Sequence, residues 1–416
     1  MDKNFSIEGK HTTHSGGKGE YLHDWYSYLE GFSSSFVSGI LDSYAPHAEI
    51  VLEPFAGVGT TPVYCSLHGL KTYYCEINPV LRKITSAKNT VISLSKTDKE
   101  KYLERLESLI LSLISNVEKS KPSETLLVNY HNVFGKSVFF EKDTLNKVLK
   151  FRTYIDDLIE IDSLLAISVE VAVLSCLVKC SLLKRSGDVR FKTPKELTKG
   201  IPDLYDSVIK QLKLMAKDCI ICPQSIAEMS LLGINAKETL DLESVNADIV
   251  ITSPPYLNGT NYFRNTKLEL WFINELFDKS SLRSFRDQVV TSGINDVTKA
   301  KGNDTLPITE ELYKELSENS YDSRIPMMMT AYFYEMQLVF KGLQHHTKAD
   351  GIICIDIGDS VYAGVHIPTH KILTQIGCDL GWHLVEEVLL RSRRSKGGKE
   401  LGQYLLVFSN GINEDT

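Results

Sequence analysis

Short apolar runs alternate with amphipathic segments in two separate regions of the chain. In the first region, residues 49–90, an apolar run at 49–54 is followed by glycines, a helical segment at 62–68 and a second apolar run at 71–76. The second region carries five further apolar runs, at 231–236, 248–252, 351–357, 383–390 and 404–409. Strands that alternate with helices are typical of a parallel α/β sheet.

The segments between these runs complete the predicted domain organisation. Residues 391–403 show no long helical pattern, so we expect the last two strands to form an antiparallel hairpin at one edge of the sheet. Apolar residues three and four positions apart predict helices at 97–118, 140–160, 161–184 and 204–218. We therefore predict one α/β domain, 1–90 with 231–416, and a helical insertion at 91–230. A second, polar insertion at 274–323 should consist of exposed loops and short helices.

Composition excludes little beyond a membrane protein. The chain has 416 residues, of which 43% are hydrophobic, and a formal net charge of −7. No uncharged apolar run reaches the ~18 residues of a membrane span, and the first residues lack the apolar core of a secretory signal. We expect a cytoplasmic protein. The acidic balance leaves nucleic acid open as a partner, because such an enzyme needs only one local basic face.

Eight cysteines are scattered without the regular spacing of a disulfide framework. Four of them, Cys176, Cys180, Cys219 and Cys222, have a spacing that could supply zinc ligands. Cys176 and Cys180 also fit a helical apolar face, where cysteine is a common small core residue. We favour four core thiols and predict no metal.

A glycine turn follows the first predicted strand, in the string VLEPFAGVGTTP at 51–62. Gly57 and Gly59 let the backbone turn tightly beside a ligand, and Thr60 or Thr61 could cap the helix that follows. Pro62 occupies the place of the third glycine of a dinucleotide fingerprint, which disfavours NAD. Glu76 ends the second strand, where a carboxylate accepts hydrogen bonds from both hydroxyls of an adenosine ribose.

A second turn, Ser253-Pro254-Pro255-Tyr256, ends the apolar string DIVITSPPY at the predicted carboxyl edge of the sheet. An exocyclic amino group is a poor nucleophile because its lone pair is delocalised into the base. Hydrogen bonds from its N–H groups to the Ser253 hydroxyl and the Pro254 carbonyl would favour a pyramidal nitrogen. Tyr256 offers a flat face on which an unpaired base stacks. The alternative is a purely structural proline turn with a core tyrosine.

These two strings together resemble S-adenosylmethionine-dependent amino-methyltransferases that act on DNA. The resemblance covers about half of the chain, chiefly 20–90 and 231–410, and implies a Rossmann-like class I methyltransferase sheet of a prokaryotic enzyme. Ser-Pro-Pro-Tyr is the form typical of N4-cytosine enzymes, whereas Asp or Asn in the first position is typical of N6-adenine enzymes. N6-adenine and RNA amino-methyltransferases remain the alternatives, and a nucleotide-binding or NAD-dependent protein is a third.

The resemblance also implies roles for individual residues. Ser253, Pro254, Pro255 and Tyr256 are the expected catalytic residues. The segment 23–41 stands where a further cofactor motif occurs, so its aromatic residues or Ser33 are expected to touch the cofactor or to pack as an amphipathic helix. The expected S-adenosylmethionine-binding residues are Phe55, Ala56, Gly57, Gly59, Thr60, Glu76 and Asn235, the last of which replaces a usual Asp beside the adenine.

Two basic strings are candidates for contact with DNA phosphates. The string RSRRSKGGKE in the predicted hairpin loop contains Arg391, Arg393, Arg394, Lys396 and Lys399. The string KRSGDVRFK contains Arg185 and Arg190, inside the insertion that we consider for target recognition. The expected partner is duplex DNA with one base flipped out, and a companion restriction endonuclease is expected by resemblance alone. The sequence carries no signal for oligomeric state or recognition sequence.

Overall fold

Seven strands form one sheet in the computed structural model of the protein. The structure describes residues 11–28, 30–258, 262–298, 301, 304–395 and 397–411. The strands in chain order are β1 Ile50–Glu53, β2 Lys71–Cys75, β5 Met229–Gly233, β6 Ala247–Thr252, β7 Thr347–Gly358, β10 His383–Arg394 and β11 Glu400–Ser409. Two short hairpins complete the set, β3 Leu183–Ser186 with β4 Asp188–Phe191, and β8 Ser360–Tyr362 with β9 Val365–Ile367.

The strand order is β10-β11-β7-β6-β1-β2-β5. Strands β5, β2, β1, β6 and β7 pair in parallel, whereas β11 is antiparallel to both β7 and β10. The predicted Rossmann-like sheet with an antiparallel edge hairpin is therefore confirmed. Because parallel strands share a direction, the carboxyl ends of β1, β2, β6 and β7 lie at one edge, where open α/β sheets bind ligands.

Helices cover both faces of the sheet because successive strand residues point to opposite sides. Val51 and Ile249 belong to a core with α1 Ser34–Tyr44 and α2 Thr60–Leu67. Their neighbours Leu52 and Val250 point the other way, into a core with α14 Arg324–His346 and α15 Thr369–Asp379. Both faces are thus buried, as the near-continuous apolar runs of the strands require.

The predicted insertion is largely helical and packs on the helix that follows β2, α3 Pro79–Ile92. The periodicity did not predict the helix at Glu124–Phe134, which buries only Leu126 and Tyr130 on its inner face. The helices of the insertion are α4 Lys96–Lys119, α5 Glu124–Phe134, α6 Lys142–Ile159, α7 Ser163–Cys176, α8 Pro194–Leu197 and α9 Leu204–Ile221.

Three predicted boundaries were wrong. The helix predicted at 161–184 ends at Cys176, and its last two predicted residues begin the hairpin of β3 and β4, whose turn residue Gly187 has φ 77°. The third predicted strand ends at Gly233 instead of residue 236, because Asn235 leaves the sheet to cap a short 3-10 helix. The basic residues predicted to form a loop at 391–403 continue the ladder of β10 and β11 through the pair Arg394 and Glu400.

The second insertion is built from short elements, and part of it is buried: Thr291 is 0% and Ser292 is 1% exposed. Among its described residues are short helices, α12 Lys279–Gln288 and α13 Glu310–Asn319, joined by loops and single 3-10 turns. Between the serine-proline turn at 253–256 and this insertion lie α10 Tyr262–Asn265 and α11 Lys267–Phe272. Over the described part of the chain, no helix combines the length and the apolar character that a membrane span demands.

Candidate active site

A cavity of about 270 Å³ opens at the carboxyl edge of the sheet. The glycine turn after β1 and the serine-proline turn after β6 both line it, so the two strings that the sequence singled out share one cleft. The predicted residues that line this cavity are Phe55, Gly57, Glu76, Asn235, Ser253, Pro254, Pro255, Tyr256, Arg391 and Arg393.

The glycine turn is fixed from behind by helix α3. Gly57 has φ 56°, a conformation that a side chain would strain, and its N–H donates to Glu76 Oε2 at 2.7 Å. Thr85 Oγ1 donates to the Gly57 carbonyl at 3.2 Å, and the buried Lys88 amine donates to the Val58 carbonyl at 2.7 Å. Burial lowers the pKa of Lys88 to about 7. The turn is therefore held in place before any ligand binds.

Glu76 supplies the acidic group of this end of the cavity. Its side chain is only 7% exposed, and its second oxygen accepts the Asn78 N–H at 2.7 Å. Burial raises the pKa of Glu76 to about 7, against the opposing effect of the two backbone donors. Each carboxylate oxygen has two lone pairs, so both retain capacity for the hydroxyls of a ribose. A glycine cradle beside a buried acid fits an adenosine that carries a cationic sulfonium.

Three expected cofactor residues do not line the cavity. Ala56 is buried, and a Cβ on Gly59 would lie 2.8 Å from Thr85 Cγ2, so this glycine is needed for packing against α3. Thr60 begins α2, but the N-cap is Gly59 and no side chain caps the helix, so the expected threonine cap is wrong. Thr61 instead donates to Glu53 Oε2 at 3.1 Å.

Buried Glu53 connects the two turns. One oxygen accepts the Phe55 N–H at 3.0 Å, and the same oxygen accepts the hydroxyl of Thr252, one residue before Ser253, at 2.5 Å. Burial raises the pKa of Glu53 to about 8. The ends of β1 and β6 are therefore joined by a side chain as well as by the strand ladder.

Asn235 lies beside the cavity, but internal hydrogen bonds engage its amide. The oxygen accepts the Lys237 N–H at 3.2 Å, and the nitrogen donates to Glu238 Oε1 at 2.7 Å and to the Gln288 carbonyl at 3.4 Å. Asn235 thereby ties the second insertion to this end of the cavity.

A buried ion cluster anchors the same part of the second insertion. Glu335 of α14 pairs with Lys237 at 3.1 Å and Lys301 at 3.4 Å, and it accepts the Thr291 N–H at 2.6 Å. Both lysines also donate to the Val289 carbonyl. The anchored stretch presents Val289, Val290, Ser292 and Asp296 to the cavity.

Tyr256 stands at the other end of the cavity. Its ring is half-buried and lies against Gly358, where an added Cβ would come within 3.0 Å of Tyr256 Cδ2 and Cε2. Only a glycine at the end of β7 leaves room for this ring. Gln403 Nε2 donates to the Tyr256 hydroxyl at 2.9 Å, which fixes the ring edge and leaves a face toward the cavity.

Asp356, which the sequence analysis missed, lies behind the serine-proline turn. It is 2% exposed and accepts hydrogen bonds from Gln403 Nε2 at 2.7 and 2.9 Å, and from the hydroxyls of Tyr256 and Ser253. Burial raises the pKa of Asp356 to about 6. An acid near the carboxyl end of the otherwise apolar run IICIDIG was a usable signal; Gln403, on the returning strand, gave none.

The basic residues of the edge hairpin have different surroundings. Arg391 and Arg393 line the cavity, and Arg391 Nε donates to Gln403 Oε1 at 2.5 Å. Arg394 is exposed on β10, and the Lys399 amine donates to the Gly364 carbonyl at 2.5 Å. Lys396 lies outside the described residues. A basic strand end, instead of the predicted loop, thus borders the cavity.

Arg185 and Arg190, the basic residues of the helical insertion that were predicted to contact nucleic acid, have different surroundings. Arg185 forms an ion pair with Glu269, which is 0% exposed, and donates to the Tyr26 hydroxyl. Its guanidinium compensates a buried charge, and its predicted contact with nucleic acid stays a prediction. Arg190 is half-exposed on β4 and pairs with Glu196 at 2.8 Å, so its predicted phosphate contact stays a prediction.

The segment 23–41 lines the cavity with two aromatic residues and packs on the sheet with others. Tyr28 and Phe32 line the cavity, and Tyr28 Cε1 would lie 3.3 Å from a Cβ on Gly57. Phe36 and Val37 of α1 pack on the sheet. Ser33 is buried and donates to the His11 carbonyl at 3.1 Å, away from the lining of the cavity.

The four cysteines considered for zinc, Cys176, Cys180, Cys219 and Cys222, are buried in the core that joins the insertion to α3. Burial raises the pKa of each of these thiols. Within the residues that the structure describes, no group of three His, Cys, Asp or Glu side chains is placed to hold a metal ion.

The sheet order, the glycine turn and the shared cavity define a Rossmann-like α/β fold with a ligand cavity at the carboxyl edge of its sheet. Over nearly its whole length the chain is similar to Type II methyltransferase M.BsoBI of Geobacillus stearothermophilus, with 22% identity over 462 residues, covering 97% of this chain and 87% of that protein. Type II methyltransferase M.AvaI of Nostoc sp. is also 22% identical, over 443 residues, covering 96% of this chain and 87% of its own.

Family models and solved structures do not identify the reaction of this chain. No family model matches the chain. The solved structure of the rRNA methyltransferase aviRa from Streptomyces viridochromogenes covers 91% of this chain and 88% of its own, with 8% identity and a TM-score of 0.31, and this likeness carries no argument about function. The similarity to the two type II enzymes therefore supports methyl transfer, and the choice of target base has to come from the site.

Proposed function

We propose that this chain transfers a methyl group from S-adenosylmethionine to the exocyclic amino nitrogen of a base flipped out of duplex DNA, with cytosine N4 as the preferred target. One observation supports this most directly. The glycine turn with buried Glu76 and the Ser253 turn open into the same cavity. The names of the type II relatives support methyl transfer as the class of reaction.

At the cofactor end, Phe55, Gly57 and Glu76 would hold S-adenosylmethionine, which supplies an electrophilic methyl group on sulfur. Glu76 accepts the ribose hydroxyls, and the preformed glycine turn lets the backbone approach the methionine part closely. The Val289 and Val290 wall of the second insertion covers an apolar part of the same pocket. Binding therefore costs little reorganisation of the chain.

At the base end, Ser253 directs its hydroxyl proton to Asp356 and so offers a lone pair to one amino N–H of the base. The Pro254 carbonyl accepts the other N–H. Bound S-adenosylmethionine would supply the methyl group: the nitrogen held by Ser253 and Pro254 would form the N–C bond as the S–C bond breaks, with S-adenosylhomocysteine as the leaving product. The nitrogen gives up one proton, which Ser253 passes to Asp356.

Tyr256 stacks on the flipped base, and the basic residues at the end of the edge hairpin contact the flanking phosphates. Arg393 and Arg394 are the described candidates for that contact, together with Lys399. A restriction-modification role in the cytoplasm of a prokaryote is the corresponding proposal for the biological setting. The helical insertion is the proposed target-recognition region.

Mass spectrometry of nucleosides tests this function. Duplex DNA and RNA are incubated separately with the protein and methyl-labelled S-adenosylmethionine, then digested. We expect N4-methylcytosine in DNA, loss of the label with Ser253→Ala, and full activity with Ser317→Ala, an exposed serine of α13. N6-methyladenine would overturn the base preference, label only in RNA would overturn the substrate, and no transfer despite cofactor binding would overturn the function.

A further inference from the structure

The amide of Gln403 has only one orientation that satisfies its neighbours. A guanidinium has donors and no acceptor, so the atom that faces Arg391 Nε must be the amide oxygen. The amide nitrogen then faces inward and donates to Asp356 and to the Tyr256 hydroxyl. Gln403 is 5% exposed, so water does not compete for these bonds. Arg391 thus determines which end of Gln403 reaches the catalytic turn.

Gln403 and Arg391 affect Ser253 because both act on Asp356, which accepts a hydrogen bond from the Ser253 hydroxyl. The carboxylate receives donors from Gln403 on β11 and from Tyr256 and Ser253 after β6, and the charge that acts on it is that of Arg391 on β10. A carboxylate that accepts from Ser253 leaves the serine oxygen free to accept from a substrate. A protonated Asp356 would instead compete as a donor to that oxygen.

We propose that Gln403 and Arg391 are positioning residues of the transferase centre, which hold Asp356 as an oriented anion so that Ser253 presents its lone pair to the target amino group. This inference rests on the proposed function, and it reassigns Arg391 from a phosphate contact to an internal electrostatic role. Arg393 and Arg394 keep the predicted role toward DNA.

Substitution of Gln403 or of Arg391 should shift the pKa of Asp356 in the same direction. Burial raises the pKa of Asp356, while Gln403 and Arg391 both lower it. Gln403→Leu or Arg391→Met therefore raises the pKa of Asp356 further. If the anion is the active form, kcat rises with pH through this pKa, and the acid limb of the profile moves to higher pH in both variants.

Two measurements test the proposal. The pKa of Asp356 is followed by carboxyl NMR in protein labelled at aspartate, with Asp356→Asn to assign the signal. The kcat is then measured against pH with saturating cofactor and DNA. The matched controls are Gln375→Leu, an exposed glutamine of α15, and Arg324→Gln, an exposed arginine at the start of α14.

We expect a higher pKa of Asp356 in both variants and a kcat at neutral pH that is ~10-fold lower in Gln403→Leu, as for the loss of a buried hydrogen bond. The affinity for S-adenosylmethionine should not change, and neither control should shift the pKa or kcat. Because Arg391 is exposed on β10, the Arg391→Met protein should fold even if Gln403→Leu folds poorly. It then measures the effect of the Arg391 charge on the pKa of Asp356.

Three results would overturn the proposal. One is an unchanged pKa of Asp356 in Arg391→Met. Another is an unchanged pH profile with a DNA-binding salt slope reduced by about one, which would make Arg391 a phosphate contact. The third is an equal loss of kcat at every pH. The NMR titration needs no methyl transfer, so it decides the positioning role even if the wild-type chain methylates neither DNA nor RNA, which would refute the proposed function instead.

Discussion

The two ends of the cavity are built in different ways. At the cofactor end, Gly57 and Glu76 are 19 residues apart in the chain, and backbone groups supply the key hydrogen bonds. At the base end, Tyr256 and Gln403 are 147 residues apart, and side chains supply the network around Asp356. The first end depends on one continuous strand-turn-helix-strand unit, from β1 to the end of β2, whereas the second depends on three strands that are distant in the chain. Substitutions should therefore affect binding at one end and turnover at the other.

The largest expected effect is at the base end. Ser253→Ala removes the acceptor for one amino N–H and one donor to Asp356, and we expect kcat to fall ~10²- to 10³-fold, as when one preorganised catalytic hydrogen-bonding group is lost. Calorimetry should give the wild-type Kd for S-adenosylmethionine. A weaker Kd of similar size would show that the two ends are not separable.

Glu76→Gln tests the cofactor end with little change of shape. The amide keeps one acceptor, so either the Gly57 N–H or the Asn78 N–H loses its partner. Loss of the charged acceptor for a ribose hydroxyl costs ~1.5–3 kcal/mol, which corresponds to a Kd for S-adenosylmethionine ~13- to 160-fold weaker. At saturating cofactor, kcat should match the wild type. An unchanged Kd would place the cofactor elsewhere in the cavity.

The pH dependence of cofactor affinity and of kcat should further distinguish the cofactor end of the cavity from the base end. The pKa of Glu76 is about 7 because of burial, so below that value the carboxyl is protonated and loses acceptor capacity. Cofactor affinity should then fall with decreasing pH by at most ~10-fold per pH unit, the limit for one linked proton. The folding free energy responds oppositely: the folded pKa is raised, so Glu76 makes the protein less stable as pH rises toward 7 and then no further.

Isothermal titrations at several pH values, with Glu76→Gln as the control, measure this dependence. The variant should show a flat Kd over the same range. A wild-type Kd that is also flat would mean that Glu76 is ionised throughout or does not touch the cofactor. The kcat of the wild type, by contrast, should titrate near the pKa of Asp356, about 6.

The same contrast explains what the sequence predicted. The parallel α/β sheet with its edge hairpin, the glycine turn, Glu76 and the serine-proline turn follow from local patterns. The structure brings the two turns and Glu76 to one edge of that sheet. Asp356 was missed because it was interpreted only as part of an apolar strand, and Gln403 because nothing near it in sequence marks a site. The ion pair of Arg185 was not predicted because its buried partner, Glu269, is 84 residues away. Charge strings show where basic residues are, but not which acids they meet.

The smallest expected effect tests whether the network positions Tyr256 or only surrounds it. Tyr256→Phe keeps the ring that stacks on the base and removes the hydroxyl that bridges Gln403 and Asp356. Loss of such a bond costs ~0.5–1.5 kcal/mol, so kcat should fall ~2- to 12-fold while the DNA Kd stays unchanged. Tyr313→Phe, on the exposed face of α13, is the matched control. An unchanged kcat would mean that packing against Gly358 alone holds the ring. A much larger loss would instead give the Tyr256 hydroxyl a direct part in proton transfer, and the base end would then contain a second acid-base group beside Asp356.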